Sequence, residues 1–348
     1  MKNKIAIASA FLAASSFSTA EIVVNDFLSF EGFVDMSYTH SDTDSDVAAL
    51  DGSDNSFSID QVEISWLFDF DPVTAQIDLE HEEGRAIDND SGTAVEQAFA
   101  TYHLDGGSAI TAGRYASMLG FEAFEPTGLY QYSFAYDMGF GDLIGTPGYV
   151  DGVKYTYESD DSFFGISVHD TTFNSDEGRL GGSGNSTYGI EAAGSMILGD
   201  GLNWFVGGAY EDGDAAIDSD AYVFNTYLTY ETGAWVFAGE LIYGEYEAGQ
   251  ALVDGGFGTG EEEVLQALLM ANFAYSDAAS ITGRISYSDH ELDDAGSTEA
   301  DFAKFTLAHG YAFTDNLFLV NEISYVDGDV NGGDYENLLG AVELIFSF

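Results

Sequence analysis

Residues 28–39 read LSFEGFVDMSYT, and their side chains sort by parity. Leu28, Phe30, Val34, Met36 and Tyr38 share one parity with Gly32, while Ser29, Glu31, Asp35, Ser37 and Thr39 fall on the other. Successive side chains of a strand point to opposite faces, so this spacing describes a strand with one apolar and one polar face; a helical period of 3.6 would scatter both sets. The pattern recurs along the chain. Val73, Ala75, Ile77 and Leu79 alternate with Thr74, Gln76, Asp78 and Glu80, and Leu202, Trp204, Val206 and Tyr210 oppose Asn203 and Glu211.

Read to the end, the alternation predicts about sixteen segments of roughly ten residues, the length that a tilted strand needs to cross a bilayer. They fall at 28–40, 57–68, 73–81, 95–104, 108–115, 148–158, 162–169, 187–198, 202–210, 221–230, 234–245, 263–275, 280–288, 300–311, 317–325 and 337–348. Their links alternate in length. Tight turns such as 105–107 and 199–201 follow even segments, and long acidic stretches such as 41–56, 82–94, 116–147, 246–262 and 326–336 follow odd ones. Short turns at one end and long loops at the other predict an all-β fold, a single transmembrane antiparallel barrel with periplasmic turns and acidic outer loops. Tyrosines sharpen the expectation. Tyr38, Tyr210, Tyr243, Tyr287 and Tyr325 close upward segments, whereas Tyr102, Tyr157, Tyr230, Tyr275 and Tyr311 close downward ones, two belts at the two membrane interfaces.

The composition agrees. The 348 residues carry 8 Lys+Arg against 61 Asp+Glu, a formal charge of -53, so no basic face for nucleic acid can form. The 27 Phe and 21 Tyr argue against the disorder that such acidity often brings, and the absence of Cys removes disulfides, thiol catalysis and thiolate metal sites. Residues 1–20 combine Lys2 and Lys4, an apolar run from Ile5 to Ala14, and the small residues Ser18-Thr19-Ala20, which reads as a cleavable secretory signal peptide. Residues 21–348 are then one barrel without a linker or appendage, with Glu21–Phe27 as a short periplasmic lead. The chain's last alternating residues, Leu344, Phe346 and Phe348, resemble the terminal assembly signal of outer-membrane barrels, although Glu343 stands where that signal has Gly. The expected address is the Gram-negative outer membrane, with its lipid as a partner.

At this strand number a barrel is too wide to be filled by wall side chains and holds water, so the polar parity should line a channel. Lys154, Arg284 and Lys304 sit on that parity, as do Glu31, Asp35, Glu63, Asp78, Glu80, Glu191, Glu240, Glu322 and Glu343. A charge facing lipid at midplane would cost about 2–4 kcal/mol, which favours the lumen. Loop 116–147 differs from the other long links. It is aromatic and weakly charged, built to pack, and a 32-residue loop of that kind is expected to carry function. It is read as the constriction, with Arg114, Glu122, Glu125, Asp137 and Asp142 as the candidate eyelet charges; packing on top of the barrel or against a neighbouring protomer is the competing reading.

Gly113-Arg114-Tyr115, Gly120-Phe121-Glu122, Tyr132-Ser133-Phe134 and Pro147-Gly148-Tyr149-Val150-Asp151-Gly152-Val153 resemble the middle of the OmpL-like β-barrel porins. The fifth segment and the loop after it also resemble the general bacterial porins. The resemblance implies a passive outer-membrane channel for small hydrophilic solutes and, as in general porins, a homotrimer. General porins set a ladder of bases against acids across the eyelet, and on that side this chain offers Arg114. The surplus of carboxylates predicts a preference for cations.

Other chemistry is not expected. Asp42, Asp44 and Asp46 open like a calcium loop, but Val47 and Ser53 occupy the positions that need Gly and Glu. No nucleophile motif and no phosphate-cradling glycine loop is present, so no catalytic, cofactor or metal site is assigned. The alternative to a channel is a structural or surface-interaction barrel whose acidic loops bind ions.

Overall fold

The computed structural model describes residues 21–48, 50–82, 92–139, 145–173, 188–212, 220–246, 261–293 and 298–348. Its strands are β1 (Ile22–Asn25), β2 (Leu28–Ser45), β3 (Gly52–Asp69), β4 (Val73–Glu82), β5 (Gly92–His103), β6 (Ser108–Ala116), β7 (Tyr149–Glu158), β8 (Ser162–His169) and β9 (Tyr188–Gly199). They continue with β10 (Leu202–Asp212), β11 (Ala221–Thr232), β12 (Trp235–Tyr246), β13 (Glu261–Ser276), β14 (Ala279–Asp293), β15 (Thr298–Thr314), β16 (Leu317–Val330) and β17 (Gly333–Ser347). Each of β2 to β17 pairs antiparallel with its sequence neighbours, and β17 pairs with β2, which closes a 16-stranded barrel. Closure leaves no edge in the lipid, where an open edge would strand backbone donors and acceptors.

Cross-strand partners share a face, so the register separates inside from outside. Leu269↔Ile285 and Leu307↔Gly283 lie outside, while Met270↔Arg284 and Ser286↔Lys304 lie inside. The outer face is apolar and exposed, with Leu269 at 68% and Leu307 at 55%, as a surface solvated by acyl chains requires. Eight of the ten belt tyrosines are exposed, and Tyr243 and Tyr325 are half-buried. The inner face is less uniformly polar than parity suggests. Phe33, Phe318 and Ile345 form a buried inner cluster, and Phe205, Val223, Tyr227, Ile242 and Leu268 line one side of the bore.

One expectation is corrected, and the lead gains a strand. Within it, Ile22↔Phe30 and Val23↔Ser29 place β1 beside the foot of β2, below the point where Phe348 and Gly32 exchange backbone hydrogen bonds at 2.8 and 2.9 Å. It satisfies strand edges that the end of β17 leaves open. The stretches 41–56 and 326–336 are not long loops, because β2, β3, β16 and β17 continue through most of them. Above the membrane both faces meet water, so alternation fades while the backbone ladder persists. Asn331 and Gly332, at φ 55° and 74°, turn β16 into β17 in two residues, the backbone that an Asn-Gly hairpin supplies. The wall is therefore tall at β2–β3, 18 residues each, and low at β6, β7 and β8, with 9, 10 and 8. The long loop leaves from the low side.

Candidate functional site

The loop after β6 turns into the barrel. Its neck is closed by Ser117 N–H bonding Gly148 O at 2.8 Å. A loop carries backbone donors and acceptors that need partners once water is excluded, and here the inner wall supplies them in two kinds. Wall acceptors take loop N–H groups: Glu191 from Met118 at 2.6 Å, Asn225 from Gly120 at 3.1 Å, Glu240 from Phe121 at 2.7 Å, and Glu322 from Tyr132 and Ser133 at 2.8 and 3.0 Å. Gln266 takes the Gly145 N–H at 2.9 Å on the loop's return.

Wall donors take loop carbonyls. Arg284 gives its Nη2 to Ser133 O and Phe134 O at 2.9 and 3.1 Å, and Lys304 gives Nζ to Phe134 O and Asp137 O at 2.9 and 2.6 Å. Ser286 and Tyr335 donate to Ala135 O and Met138 O at 2.5 and 2.7 Å. Arg284 also pairs with Glu122 at 2.5 Å, and that carboxylate accepts from Gln131 Nε2 and Ala135 N, both at 2.7 Å. Apolar packing adds to these bonds. Leu119, Phe121, Ala135, Tyr136 and Met138 bury themselves against the apolar side of the bore, with Phe121 edge-on to Tyr227 at 5.7 Å. A buried Phe contributes about 1.5–3 kcal/mol.

Across the bore the loop meets a different wall. Gln61 Nε2 bridges Glu125 Oε2 at 2.9 Å and Glu80 Oε1 at 3.0 Å, and Tyr149 donates to Glu125 Oε1 at 3.1 Å. Glu63, Asp78 and Glu96 each bring a carboxylate oxygen within 4.8 Å of the others. Glu96 gets there through a bulge: Asp78 faces Gln97 and Leu79 faces Val95, so Glu96 is an extra residue in β5. Burial pushes the Glu125 carboxyl well above the usual carboxylate range, and neighbouring Glu63 and Glu96 push it further.

The residues singled out in the sequence distribute as follows. Glu122, Glu125 and Asp137 are on the loop inside the barrel, with Asp137 bonding through its carbonyl to Lys304. Arg114 lies on the parity of outward Ile110 and Val153; it donates Nε to Glu96 O at 2.9 Å and pairs with Asp151 at 3.7 Å, within the wall. Lys154 faces the lumen with Nζ 4.3 Å from the Tyr115 ring centre. Arg284 and Lys304 face it as loop anchors. Asp35, Asp78 and Glu343 are buried rather than open to lumenal water, and Glu31 is half-buried. Asp142 lies outside the described residues. Sequence reading missed Gln61, Glu96 and Gln97. Glu96 sits where a bulge breaks the period, and the carboxylate–amide–carboxylate spacing of residues 61, 63, 78 and 80 becomes visible only once β3 and β4 are in register.

A closed sixteen-strand barrel with a loop folded into it from β6 defines the porin class of outer-membrane proteins. The chain belongs to the family described as "Putative beta-barrel porin-2, OmpL-like", which matches residues 28–348. The fold is similar to that of an anion-selective porin from Comamonas acidovorans, TM-score 0.65 at 14% identity over 92% of this chain and 99% of that one. It is similar too to the outer-membrane channel DcaP of Acinetobacter baumannii, TM-score 0.66 at 14% identity over 92% and 97%. The OmpT outer-membrane protein of Vibrio cholerae gives 0.62 at 14% identity over 94% and 100%. No curated protein sequence matches the chain.

Proposed function

We propose that this porin is a narrow, cation-preferring diffusion channel for small hydrophilic solutes, with loop 116–147 as its constriction. The observation that carries the reading is the fate of the lumenal bases. Among the described residues Lys154, Arg284 and Lys304 are the bases facing the lumen, and Arg284 and Lys304 are spent on loop carbonyls and Glu122. Lys154 is half-buried against Tyr115, near Glu191. Strands β2 to β5 contain no Lys or Arg, yet they bring Glu31, Asp35, Glu63, Asp78 and Glu80 to the inner face. Low-dielectric walls focus such a field into the bore, and carboxylates lining it favour cations. The fold does not decide the sign, since a similar barrel is an anion-selective porin; the surplus of lumenal carboxylates is what supports the cation reading.

Residues 1–20 are proposed to direct export and to be removed, and the assembly is proposed to be a homotrimer, a form also recorded for the Vibrio cholerae OmpT. Planar-bilayer recording under a salt gradient tests the channel. The expected reversal potential has the sign of cation preference, strongest at low salt; an anion-preferring potential refutes the selectivity, and a folded protein that conducts nothing refutes the channel.

A further inference from the structure

Toward the outer end of β13 and β14, four buried side chains link in a row to the return arm of the loop. Gly145 N–H donates to Gln266 Oε1 at 2.9 Å, and Gln266 Nε2 donates to Ser288 Oγ at 3.0 Å. Ser288 Oγ lies 2.8 Å from His290 Nε2, and His290 Nδ1 lies 2.9 Å from Glu262 Oε1. A backbone N–H at one end can only donate and a carboxylate at the other can only accept, so with a neutral imidazole every bond between them runs the same way. Gln266 presents its oxygen to Gly145 and its nitrogen to Ser288. Ser288 then passes its own hydrogen to Nε2, and His290 carries its hydrogen on Nδ1, toward Glu262. Tyr246 donates to the Gly145 carbonyl at 2.8 Å, so both backbone polar atoms of Gly145 end on the wall. A serine, an imidazole and a carboxylate in this order also describe a hydrolase, but Ser288 is 0% exposed and takes the Gln266 amide, so no substrate reaches its oxygen.

We propose that this row is a proton-operated latch on the constriction loop: with His290 neutral it holds Gly145 against β13, and a proton added to His290 releases it. The second ring hydrogen turns Nε2 from an acceptor into a donor. Ser288 then has donors on both sides, and its own hydrogen loses the acceptor it had. Leaving a buried donor unpaired weakens the row by roughly tenfold or more, and because each bond in a low-dielectric row polarises the next, the loss travels to Gln266 and Gly145. Turning the Gln266 amide would give Ser288 an oxygen again, but it would set the Gln266 nitrogen against the Gly145 N–H, and the arm would lose its acceptor either way. Around His290 on the inner face stand Glu262 of β13 and, beyond it, Tyr246 of β12, while Val264 and Ala300 lie directly across on β13 and β15. Arg284 of β14 and Lys304 of β15 share that face lower down, and Asp289, Glu291 and Asp301 take the outward parity. The effect on conductance rests on the constriction reading; the hold on Gly145 does not.

The test is amide hydrogen exchange read by NMR on the detergent-folded protein from about pH 8 to about pH 5, the range in which histidine titrates. Each rate is compared with that of an unstructured chain at the same pH. In wild type the Gly145 amide is expected to lose roughly tenfold or more of its protection on acidification. Gly120, whose N–H is taken by the neutral Asn225 side chain, is expected to keep its own. His290→Gln has no ring to titrate, so its Gly145 should be held equally across the range. Constant protection of Gly145 in wild type, an equal loss at Gly120, or a loss that survives in folded His290→Gln would each overturn the proposal. Heat-modifiable gel migration reports folding of the variant. Should it fail to fold, the ring-nitrogen shifts of wild-type His290 decide: the neutral ring must carry its hydrogen on Nδ1 and take up the second as Gly145 loses protection. A neutral ring with its hydrogen on Nε2, or a ring that titrates apart from Gly145, overturns the latch. Single-channel recording then separates it from the channel reading. A conductance that changes with pH in wild type and not in His290→Gln supports both, whereas a responsive Gly145 beside a constant conductance keeps the latch and removes the loop as the restriction.

Discussion

The two walls that the constriction loop touches are built on opposite electrostatics. On β14–β15, Arg284 and Lys304 point at carbonyl oxygens and at Glu122, so both bases meet a partner of opposite sign or a dipole end. On β3–β5, Glu63, Asp78 and Glu96 meet one another, and the loop answers them with another carboxyl, Glu125. The first wall's two bases are neutralised by the polypeptide itself. The second sets like charges against one another, so the loop is held firmly on one side and against mutual repulsion on the other.

Removing the loop tests whether that contrast matters to transport at all. Replacement of residues 121–138 by a short Gly-Ser linker leaves the barrel wall to set the radius, and a barrel of sixteen strands is open when nothing enters it. Single-channel conductance is expected to rise roughly twofold or more, because bore radius then follows strand number alone. An unchanged conductance in a heat-modifiable, folded variant would mean that the loop is not the restriction.

Next in size is the effect of single charges on the two walls, which the comparison says must differ in sign. Arg284 is fully buried against a Glu122 carboxylate that is 11% exposed, and removing one partner of a buried pair costs about 3–5 kcal/mol because the other is left uncompensated. Arg284→Met is therefore expected to lower the unfolding temperature markedly. Glu63→Gln removes a charge from a repelling group, so it is expected to raise that temperature. Losses of equal size in both variants would erase the distinction between the walls.

The acidic wall also makes the loop sensitive to pH. Glu125 is faced by Glu63 and Gln61 of β3, Glu80 of β4, Glu96 of β5 and Tyr149 of β7. Its carboxyl is held above the usual range by burial and then by those acids, so the folded state keeps the proton longer than the unfolded chain does. Stability from this group is present at low pH and is lost as pH rises from the ordinary carboxylate value to the raised one. The unfolding temperature of wild type should fall across that window, and Glu125→Gln should flatten the fall. A slope that survives Glu125→Gln would assign the titration to another group.

The barrel was legible in the sequence because lipid on one side and water on the other impose a period of two, and each of the sixteen segments corresponds to a strand. The tall rim at β16–β17 was not, since water on both faces erases the contrast that parity reading needs; only Asn331-Gly332 marked its turn. The loop was recognisable by its aromatics, and Glu122 and Glu125 by lying on it. Its docking was hidden. Parity assigns Glu191, Glu240 and Glu322 to the lumen but cannot tell a charge facing ions from one accepting loop N–H groups. Arg114's face was unclear in the sequence for a related reason, since its short strand has little face contrast; register puts it on the outward parity, and its bond to Glu96 O and pairing with Asp151 hold it in the wall.

The smallest expected effect belongs to the outer rim. Asp42, Asp44 and Asp46 lie at the top of β2, beside Leu338, Glu336 and the backbone of Asp334 across the seam with β17. They carry much local charge, but water on both faces gives them a high dielectric, and a Debye length of about 8 Å at physiological salt confines their field. The carboxylates of β2–β5 sit inside the wall, where screening is weaker. Neutralising the three rim aspartates should therefore leave the reversal potential at physiological salt nearly unchanged and shift it only in dilute salt, as a reduced concentration of cations at the mouth. Neutralising Glu31 and Asp35 should shift it at both. Bilayer recordings of the two variants at two ionic strengths make the comparison. A rim variant whose loss of cation preference persists at high salt would move the selectivity filter from the inner wall to the entrance, and with it the reason for reading the two lumenal walls as different.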